Sequence, residues 1–447
     1  MADPLLAFYG DDFTGSSAVM EVLSFAGIPT VMFLKPPSAD ERAAFPGLAV
    51  MGIAGVARSR DPGWMEDNLP EAFSALADFG APITHYKVCS TFDSSPSCGS
   101  IGKAIDIGAP IVGGTWHPLI IGAPAIRRYQ AFGNLFAGTD DDVYRLDRHP
   151  VMSRHPATPM DEADVRLHLS RQTDRRIGLV DLAGIKSGQT DQVLAEQIED
   201  GGEIIAIDVF DDETLAEAGR LLWNEGRGPV FAIGSQGVEY ALVAHLRALG
   251  RLPSTFKPPR LSPVDQIFCV SGSCSPINSS QIEAAEARGF EIIDLDATRA
   301  VDLAEWDKAV DQALQASLQA LSDGRDVIVA TARGAEASTD PLKQAIMSSG
   351  SSPAVVNDRI GEGLGRLVAD VRCRTGLPRA VVAGGDTSGH AMTVIGVTAL
   401  SALAPLAPGA PLCRVHSRNE AIDGLEVSLK GGQMGSRDFF IKAKTGH

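Results

Sequence analysis

The chain has 447 residues, 44% hydrophobic and 21% charged, enough apolar material for a substantial core in two domains, which excludes a disordered or fibrous protein. Acidic residues outnumber basic ones, 56 against 39, for a formal net charge of -17, and no basic cluster or basic-aromatic stripe suits a phosphodiester backbone, so nucleic acid is not expected as a partner. No stretch approaches the ~20 uncharged apolar residues of a membrane span, and Met1 to Phe8 lacks the basic region and cleavage site of a signal peptide, so the expected location is cytoplasmic.

Short runs rich in Val, Ile and Ala alternate with helical patterns, as parallel strands joined by crossover helices do. The expected fold class is α/β and two-lobed, each lobe a largely parallel sheet flanked by helices, with the active site in the interdomain cleft. The first predicted strand, Leu5–Tyr9, runs into Gly10-Asp11-Asp12-Phe13-Thr14-Gly15 and then a helical pattern that stops near Gly27. Asp11 and Asp12 thereby stand at a strand's carboxyl end, where open α/β sheets bind ligands. Carboxylates there, with Thr14 beside them, can accept hydrogen bonds from substrate hydroxyls, and one can take a proton from a hydroxyl as it attacks. Helix capping by Asp12 or Thr14 explains one such residue, but it needs neither adjacent carboxylates nor flanking glycines.

Strands are predicted next at Val31–Phe33, Ala49–Ile53 and Ile83–Val88. The last leads into a loop that gathers Lys87, Ser90, Thr91, Asp93, Ser94 and Ser95. Lys87 can pair with a substrate carboxylate and the loop hydroxyls with its oxygens; a solvated serine-rich turn is the plain alternative. Residues 113–160 fit no regular period, which marks either a functional flap or an irregular surface excursion. Strands at Ile177–Asp181, Ile204–Val209 and Val230–Ile233 complete the first lobe.

Between Leu249 and Asp265 lie Pro253, Pro258, Pro259 and Pro263, which suit neither a helix interior nor a central strand. The expected organisation is therefore a domain over 1–250, a linker over 251–264 and a domain over 265–447. In the second domain, strands are predicted at Ile267–Val270, Glu291–Leu295, Val327–Ala330, Ala380–Ala383 and Val427–Lys430. Three of them run into glycine/serine loops: Ser271-Gly272-Ser273-Cys274-Ser275, Gly384-Gly385-Asp386-Thr387-Ser388-Gly389 and Gly431-Gly432-Gln433-Met434-Gly435. At such strand ends, backbone N–H groups and helix N-termini cradle phosphate oxygens, and three loops in one domain favour a nucleotide site over three tight turns.

No GxxxxGKS loop is present, nor a GxGxxG opening a helix after the first strand, which disfavours P-loop and ordinary dinucleotide enzymes. Asp386 is the side chain placed to hold Mg²⁺, directly or through water, or else to cap the following helix. The six scattered cysteines read as reduced thiols, Cys269 in the core and Cys89 and Cys98 flanking the polar loop. His85, His117 and His390 lie near proposed site loops but read as structural or surface residues.

In combination and order, GDDFTG (10–15), YKVCSTF with GSIG (86–102), VSGSCSP (270–276), GGDTSG (384–389), LAPGAPL (406–412) and LKGGQMGSRDFFIKA (429–443) carry a resemblance over nearly the whole chain. The chain resembles the four-carbon acid sugar kinases, formerly a family of unknown function, whose members phosphorylate tetronates or 3-oxo-tetronates. The resemblance implies an N-terminal acid-sugar-binding domain and a C-terminal nucleotide-binding domain. It implies Asp11 and Asp12 in the substrate and catalytic site, Ser271 or Ser273 with Gly272 in the nucleotide loop, Gly384 to Thr387 at phosphate and Mg²⁺, and Gly432 at the adenine nucleotide. ATP and Mg²⁺ are the implied cofactors and a small sugar acid the implied partner, with a homodimer allowed.

Many members carry Asp-Ser-Thr-Leu-Arg-Gly after the loop lysine, where this chain has Cys89-Ser90-Thr91-Phe92-Asp93-Ser94. The exchange removes a bidentate carboxylate clamp and adds a hydroxyl acceptor. A branched or 3-oxo acid such as 3-oxo-isoapionate is then at least as strong a candidate as a plain tetronate. The expected chemistry is in-line phosphoryl transfer from ATP, with an aspartate of the Asp11/Asp12 pair deprotonating a terminal hydroxyl. An NAD-linked sugar-acid dehydrogenase, a metal-dependent epimerase and a non-catalytic sugar-acid sensor are the alternatives, since two α/β lobes do not specify chemistry.

Overall fold

The computed structural model describes residues 3–446 apart from 140, 141, 156, 224–227 and 334, with the side chains of 335–340 and of Asp386 also outside the described set. The chain divides into two compact units, Met1–Phe256 and Lys257–His447.

The strands of the first unit are β1 (Leu6–Gly10), β2 (Thr30–Phe33), β3 (Val50–Ala54), β4 (Ile83–Lys87), β5 (His117–Ile120), β6 (Arg128–Ala131), β7 (Asn134–Gly138), β8 (Val143–Arg145), β9 (Ile177–Val180), β10 (Ile204–Ile207) and β11 (Val230–Gly234). Its main sheet is parallel throughout, in the order β2-β3-β1-β4-β11-β5-β10-β9. Residues of β1 to β4 are buried all along their length, which is why they read as continuous apolar runs rather than alternating ones. The crossover helices begin where the sequence supplies caps: Asp12 before Phe13–Ser24, Asp61 before Pro62–Ala77 and Ser100 before Ile101–Val112.

Residues 113–160 correct one expectation. They are not an irregular segment: His117–Ile120 is β5, a strand of the main sheet, and β6, β7 and β8 form an antiparallel sheet of their own. A run of four residues that includes Pro118 and follows Gly113 and Gly114 is too short to show a period.

The second unit contains β12 (Phe268–Ser271), β13 (Glu291–Asp294), β14 (Val327–Ala330), β15 (Arg379–Ala383), β16 (Val397–Ala407), β17 (Ala410–Ser417) and β18 (Glu426–Lys430). They are ordered β13-β14-β12-β15-β18-β17-β16, parallel as far as β18 and antiparallel beyond it. The β16–β17 hairpin, absent from the sequence reading, turns at Pro408-Gly409, with Gly409 at φ +77°. Ile267, Cys269, Ile328, Val381, Phe439 and Phe440 belong to the core here, so Cys269 is the small core residue expected. Among the described residues, no helix is long and apolar enough to cross a membrane.

In both units the first strand of the sheet sends its chain one way while its later neighbour sends its chain the other way: β1 toward β2 and β4 toward β5, then β12 toward β13 and β15 toward β16. Such a reversal opens a crevice at the adjoining carboxyl ends, which positions the two candidate sites.

Candidate functional sites

The carboxyl ends of β3, β1, β4 and β11 finish in register, with Ala54 opposite Gly10, Gly10 opposite Lys87 and Lys87 opposite Gly234. Backbone bonds continue past the strands, from Arg58 N to Asp11 O (2.9 Å), Asp11 N to Lys87 O (2.9 Å) and Val88 N to Gly234 O (2.7 Å). The residues after each strand are thus held side by side.

Asp11 is 1% exposed, and Arg58 grips it through Nε to Oδ2 (3.1 Å) and Nη2 to Oδ1 (2.6 Å). The same Nη2 donates to Asp12 Oδ1 at 2.7 Å. Asp12 also caps its helix, Oδ1 accepting from Gly15 N at 2.9 Å, while its Oδ2 accepts from no described residue. Capping and site membership therefore coexist in Asp12. Burial pushes the Asp11 carboxyl above the usual carboxylate range, against the pull of Arg58. Although burial works against its charge, the two aspartates hold the Arg58 guanidinium firmly protonated. Gly15 is required by space: a Cβ there would meet Asp12 Oδ1 at 2.3 Å and Lys87 Nζ at 3.0 Å.

Lys87 is 2% exposed and donates from Nζ to Val88 O at 2.7 Å. The loop beyond it is packed, not the solvated turn of the plain alternative. Thr91 is buried, its hydroxyl donating to Asp93 Oδ1 at 2.6 Å, and Ser90 and Asp93 are half-buried. Phe92 sits at φ +59°, a left-handed conformation that an L-residue adopts only where its surroundings enforce it. Ser94 ties the loop to His168 Nε2 and Gln172 Nε2, both at 2.9 Å. Burial, reinforced by Asp93, pushes the Cys89 thiol up to about 11, so it stays protonated and is no nucleophile at neutral pH.

In the second unit, Ser271 stands opposite Ala330 and Ala383, and Ala383 opposite Lys430. The bonds past the strands repeat the pattern: Thr331 N to Ser271 O (2.9 Å), Gly272 N to Ala383 O (2.9 Å) and Gly384 N to Lys430 O (2.8 Å). This brings the three glycine/serine loops together on consecutive strands β12, β15 and β18. Ser275 caps the helix Pro276–Glu286 and also donates to Gly432 O, while Gln281 Nε2 reaches the carbonyls of Met434, Gly435 and Ser436 at 2.9 to 3.0 Å.

Gly384 caps the helix Gly385–Ile395 at φ +135°, and a Cβ on it would lie 2.6 Å from Thr387 Oγ1. Only glycine meets both demands. Gly272, Ser273, Gly384, Gly385 and Thr387 line a cavity of approximately 260 Å³, which shares Ala297, Thr331 and Leu342 with a neighbouring cavity of approximately 380 Å³. The loop over 272–274 and the N-terminus of the helix Gly385–Ile395 line this space, and backbone N–H groups in such a setting suit phosphate oxygens. Lys430, wholly buried at the end of β18, donates to Gly431 O at 3.3 Å, and burial lowers its pKa to about 8.

The sequence reading missed Arg58, which joins the two aspartates, and the cavity walls Thr331, Asn357 and Ile360. An arginine just past β3 is the available signal, because β3 borders β1 whenever the first strands are ordered β2-β3-β1-β4. The histidines are structural, as read: His85 Nδ1 meets Glu239 Oε1 at 2.6 Å, both fully buried, and His390 pairs with Asp358 at 3.1 Å near the surface. The backbone of Asp386 lies between the cavity-lining Gly385 and Thr387, but its side chain is outside the described residues. Among the described residues, no group of three histidine, cysteine or carboxylate ligands gathers.

A carboxylate pair at one set of strand ends and a glycine- and serine-lined cavity at the other fit a two-domain group-transfer enzyme, and comparison with known proteins gives the family. Residues 6–242 match a sugar-binding N-terminal domain and residues 268–440 a nucleotide-binding C-terminal domain. A 3-oxo-isoapionate kinase of Paraburkholderia graminis is 47% identical over 446 residues, 99% of this chain and 94% of that protein. A 3-oxo-tetronate kinase of Methylobacterium radiotolerans is 31% identical, over 98% of each. A crystal structure from Salmonella typhimurium LT2 shares the fold with a TM-score of 0.77, at 21% identity over 98% of each chain. The chain belongs to the acid sugar kinase family.

Proposed function

We propose that this protein is an ATP-dependent, Mg²⁺-assisted kinase that phosphorylates a terminal hydroxyl of a branched or 3-oxo sugar acid, with 3-oxo-isoapionate the first substrate to test. The observation that carries the reading is the cradle of Gly272, Ser273, Gly384 and Gly385 in a chain 47% identical to a 3-oxo-isoapionate kinase. The lower identity to a 3-oxo-tetronate kinase, 31%, supports the branched acid over the linear one.

In this reading the domain over 1–250 binds the acid sugar, the segment over 251–264 links, and the domain over 265–447 binds the nucleotide. Asp12 is the base, because its Oδ2 is uncommitted whereas Arg58 holds both oxygens of Asp11. Asp11 and Arg58 keep Asp12 oriented. Thr14, Ser90, Thr91 and Asp93 offer hydroxyl and carboxylate partners to the substrate, and Lys87 supplies positive charge beneath them. The backbone of Gly384, Gly385 and Thr387, with Ser271, Ser273 and Gly432, takes the phosphates. Asp386, between two cavity-lining residues, would hold Mg²⁺ jointly with phosphate oxygens. When bound, the ion neutralises charge that develops on the transferring phosphoryl group.

The test is coupled ADP release by the purified protein with ATP, Mg²⁺ and a panel containing 3-oxo-isoapionate, 3-oxo-tetronate and plain tetronates. Acid-dependent ADP release, fastest with 3-oxo-isoapionate, is expected. No release with any acid, or reduction of NAD by them, overturns the reading.

A further inference from the structure

The β6–β8 sheet rises from the carboxyl end of β5, which is separated from β4 only by β11, so it emerges on the same edge as the loop after Lys87. It is pinned in place. The backbone N–H groups of Phe132 and Gly133 and the Gln130 amide all donate to the buried Asp208, and Gln130 N donates to Val209 O at 2.8 Å. Arg127 and Phe132, at φ +57° and +51°, bracket this stretch in left-handed conformations.

Between them stands Arg128. Its Nη1 donates to the carbonyls of Ile126, Arg127 and Gly138, each at 3.2 Å, which fixes the plane of the guanidinium. The other edge is uncommitted: Nε, shielded from solvent, has no partner, and neither does Nη2 among the described residues. Charged and titratable groups face it from two sides, Cys89 and Asp93 from the loop after β4 and Arg127 and His149 from its own segment, and among the described residues no carboxylate stands at ion-pair distance. Burial makes its charge costly to leave unanswered. Cys89 lies within electrostatic reach of Arg58 as well, so Arg128 and the acidic pair share a neighbour.

Among the described residues, the other cations that follow these strands are engaged. Arg58 is spent on Asp11 and Asp12, Lys87 on a carbonyl, and Arg60 stacks on Trp64. The Nε–Nη2 edge of an arginine is the fork that matches both oxygens of a carboxylate. We infer that Arg128 is the residue that binds the carboxylate of the sugar-acid substrate and so makes the site select acids over neutral sugars. This rests on the acid sugar kinase reading above.

The experiment compares 3-oxo-tetronate with the ketotetrose in which a hydroxymethyl group replaces the carboxylate, using wild type, Arg128→Gln and Arg128→Lys. The ratio of kcat/KM for acid to kcat/KM for ketose is insensitive to the fraction of folded enzyme, so a variant that folds poorly still reports. Arg128→Gln is expected to lower this ratio about 30-fold through KM for the acid, and Arg128→Lys, which keeps charge but loses the fork, about 10-fold. The acid should raise the melting temperature of wild type and fail to raise that of Arg128→Gln, a readout that serves even where the ketose is not turned over. An unchanged ratio, or an undiminished melting shift, in both variants overturns the assignment and leaves the kinase reading intact. A wild type that phosphorylates neither 3-oxo-tetronate nor 3-oxo-isoapionate overturns both.

Discussion

The two units thread their first four strands in the same order, β2-β3-β1-β4 in one and β13-β14-β12-β15 in the other, and zip their carboxyl ends with equivalent backbone bonds. What they place on that shared frame differs in kind. The first unit builds its edge from side-chain charge, Asp11, Asp12 and Arg58 locked together over Lys87. The second builds its edge, among the described residues, from backbone and hydroxyls, and the buried Lys430 there has no described carboxylate paired with it. The same crevice can thus be made reactive or merely receptive, according to whether charge or glycine occupies the strand ends. The first design should fail through electrostatics and the second through volume.

The largest effect should come from Asp12→Asn. Asparagine caps a helix as well as aspartate does, so the fold should survive while kcat falls about 1,000-fold, with KM for ATP within about twofold of wild type. Steady-state kinetics with the preferred acid decide it, and unaltered turnover would remove Asp12 from proton transfer. Next is Arg58→Leu, which strands the buried Asp11 carboxylate and should cost about 3 to 5 kcal/mol, a fall in melting temperature of about 10 °C. Without its partner the Asp11 pKa rises further, so the folded state gains stability as pH falls and the carboxyl protonates. The deficit should therefore be smaller at pH 5 than at pH 8. An equal deficit at both would show that Asp11 is not the group stranded.

In the second unit, Gly384→Ala should weaken nucleotide binding about 10- to 100-fold, because the new methyl meets Thr387 in a backbone conformation alanine resists. Gly385→Ala, whose Cβ would meet nothing within 4 Å, should change binding by about twofold at most. Calorimetric titration with ATP separates them, and equal losses would deny that volume governs this edge.

The smallest and broadest prediction is that the units part company with pH. Burial lowers His117 and His168 from 6.5 to about 4, so between those values the unfolded chain binds more protons and the first unit loses stability as pH falls. Lys430, lowered from 10.5 to about 8, penalises the second unit fully below pH 8, and that penalty is relieved as pH rises toward 10.5. Scanning calorimetry should show the transitions of the two units moving apart accordingly, and parallel movement would refute the assignment.

Much of this frame was legible in the sequence. The apolar strands and the acidic and glycine-rich loops after them could be placed because a strand buried on both faces writes itself as a continuous run, and because loops bearing chemistry follow carboxyl ends. What stayed hidden is what sequence distance conceals. Arg58 lies 47 residues from Asp11 and meets it only through the pairing of β1 with β3. Arg128 lies in a stretch whose strands are three to five residues long and antiparallel, too brief to announce a period. The β16–β17 hairpin escaped because its alanines and prolines carry little strand preference, its pairing coming instead from contact with β18.

Asp12 starts a helix and, in the proposed mechanism, takes the proton with the same carboxylate. Its evolution is constrained accordingly. Asparagine, a neighbour of aspartate in the genetic code, should preserve the architecture and, in that mechanism, lower turnover about 1,000-fold, so a folded relative that holds both ligands while joining them only slowly lies a short mutational step away. Glutamate keeps the acid but is too long to cap, so a working enzyme has little room to drift at this residue.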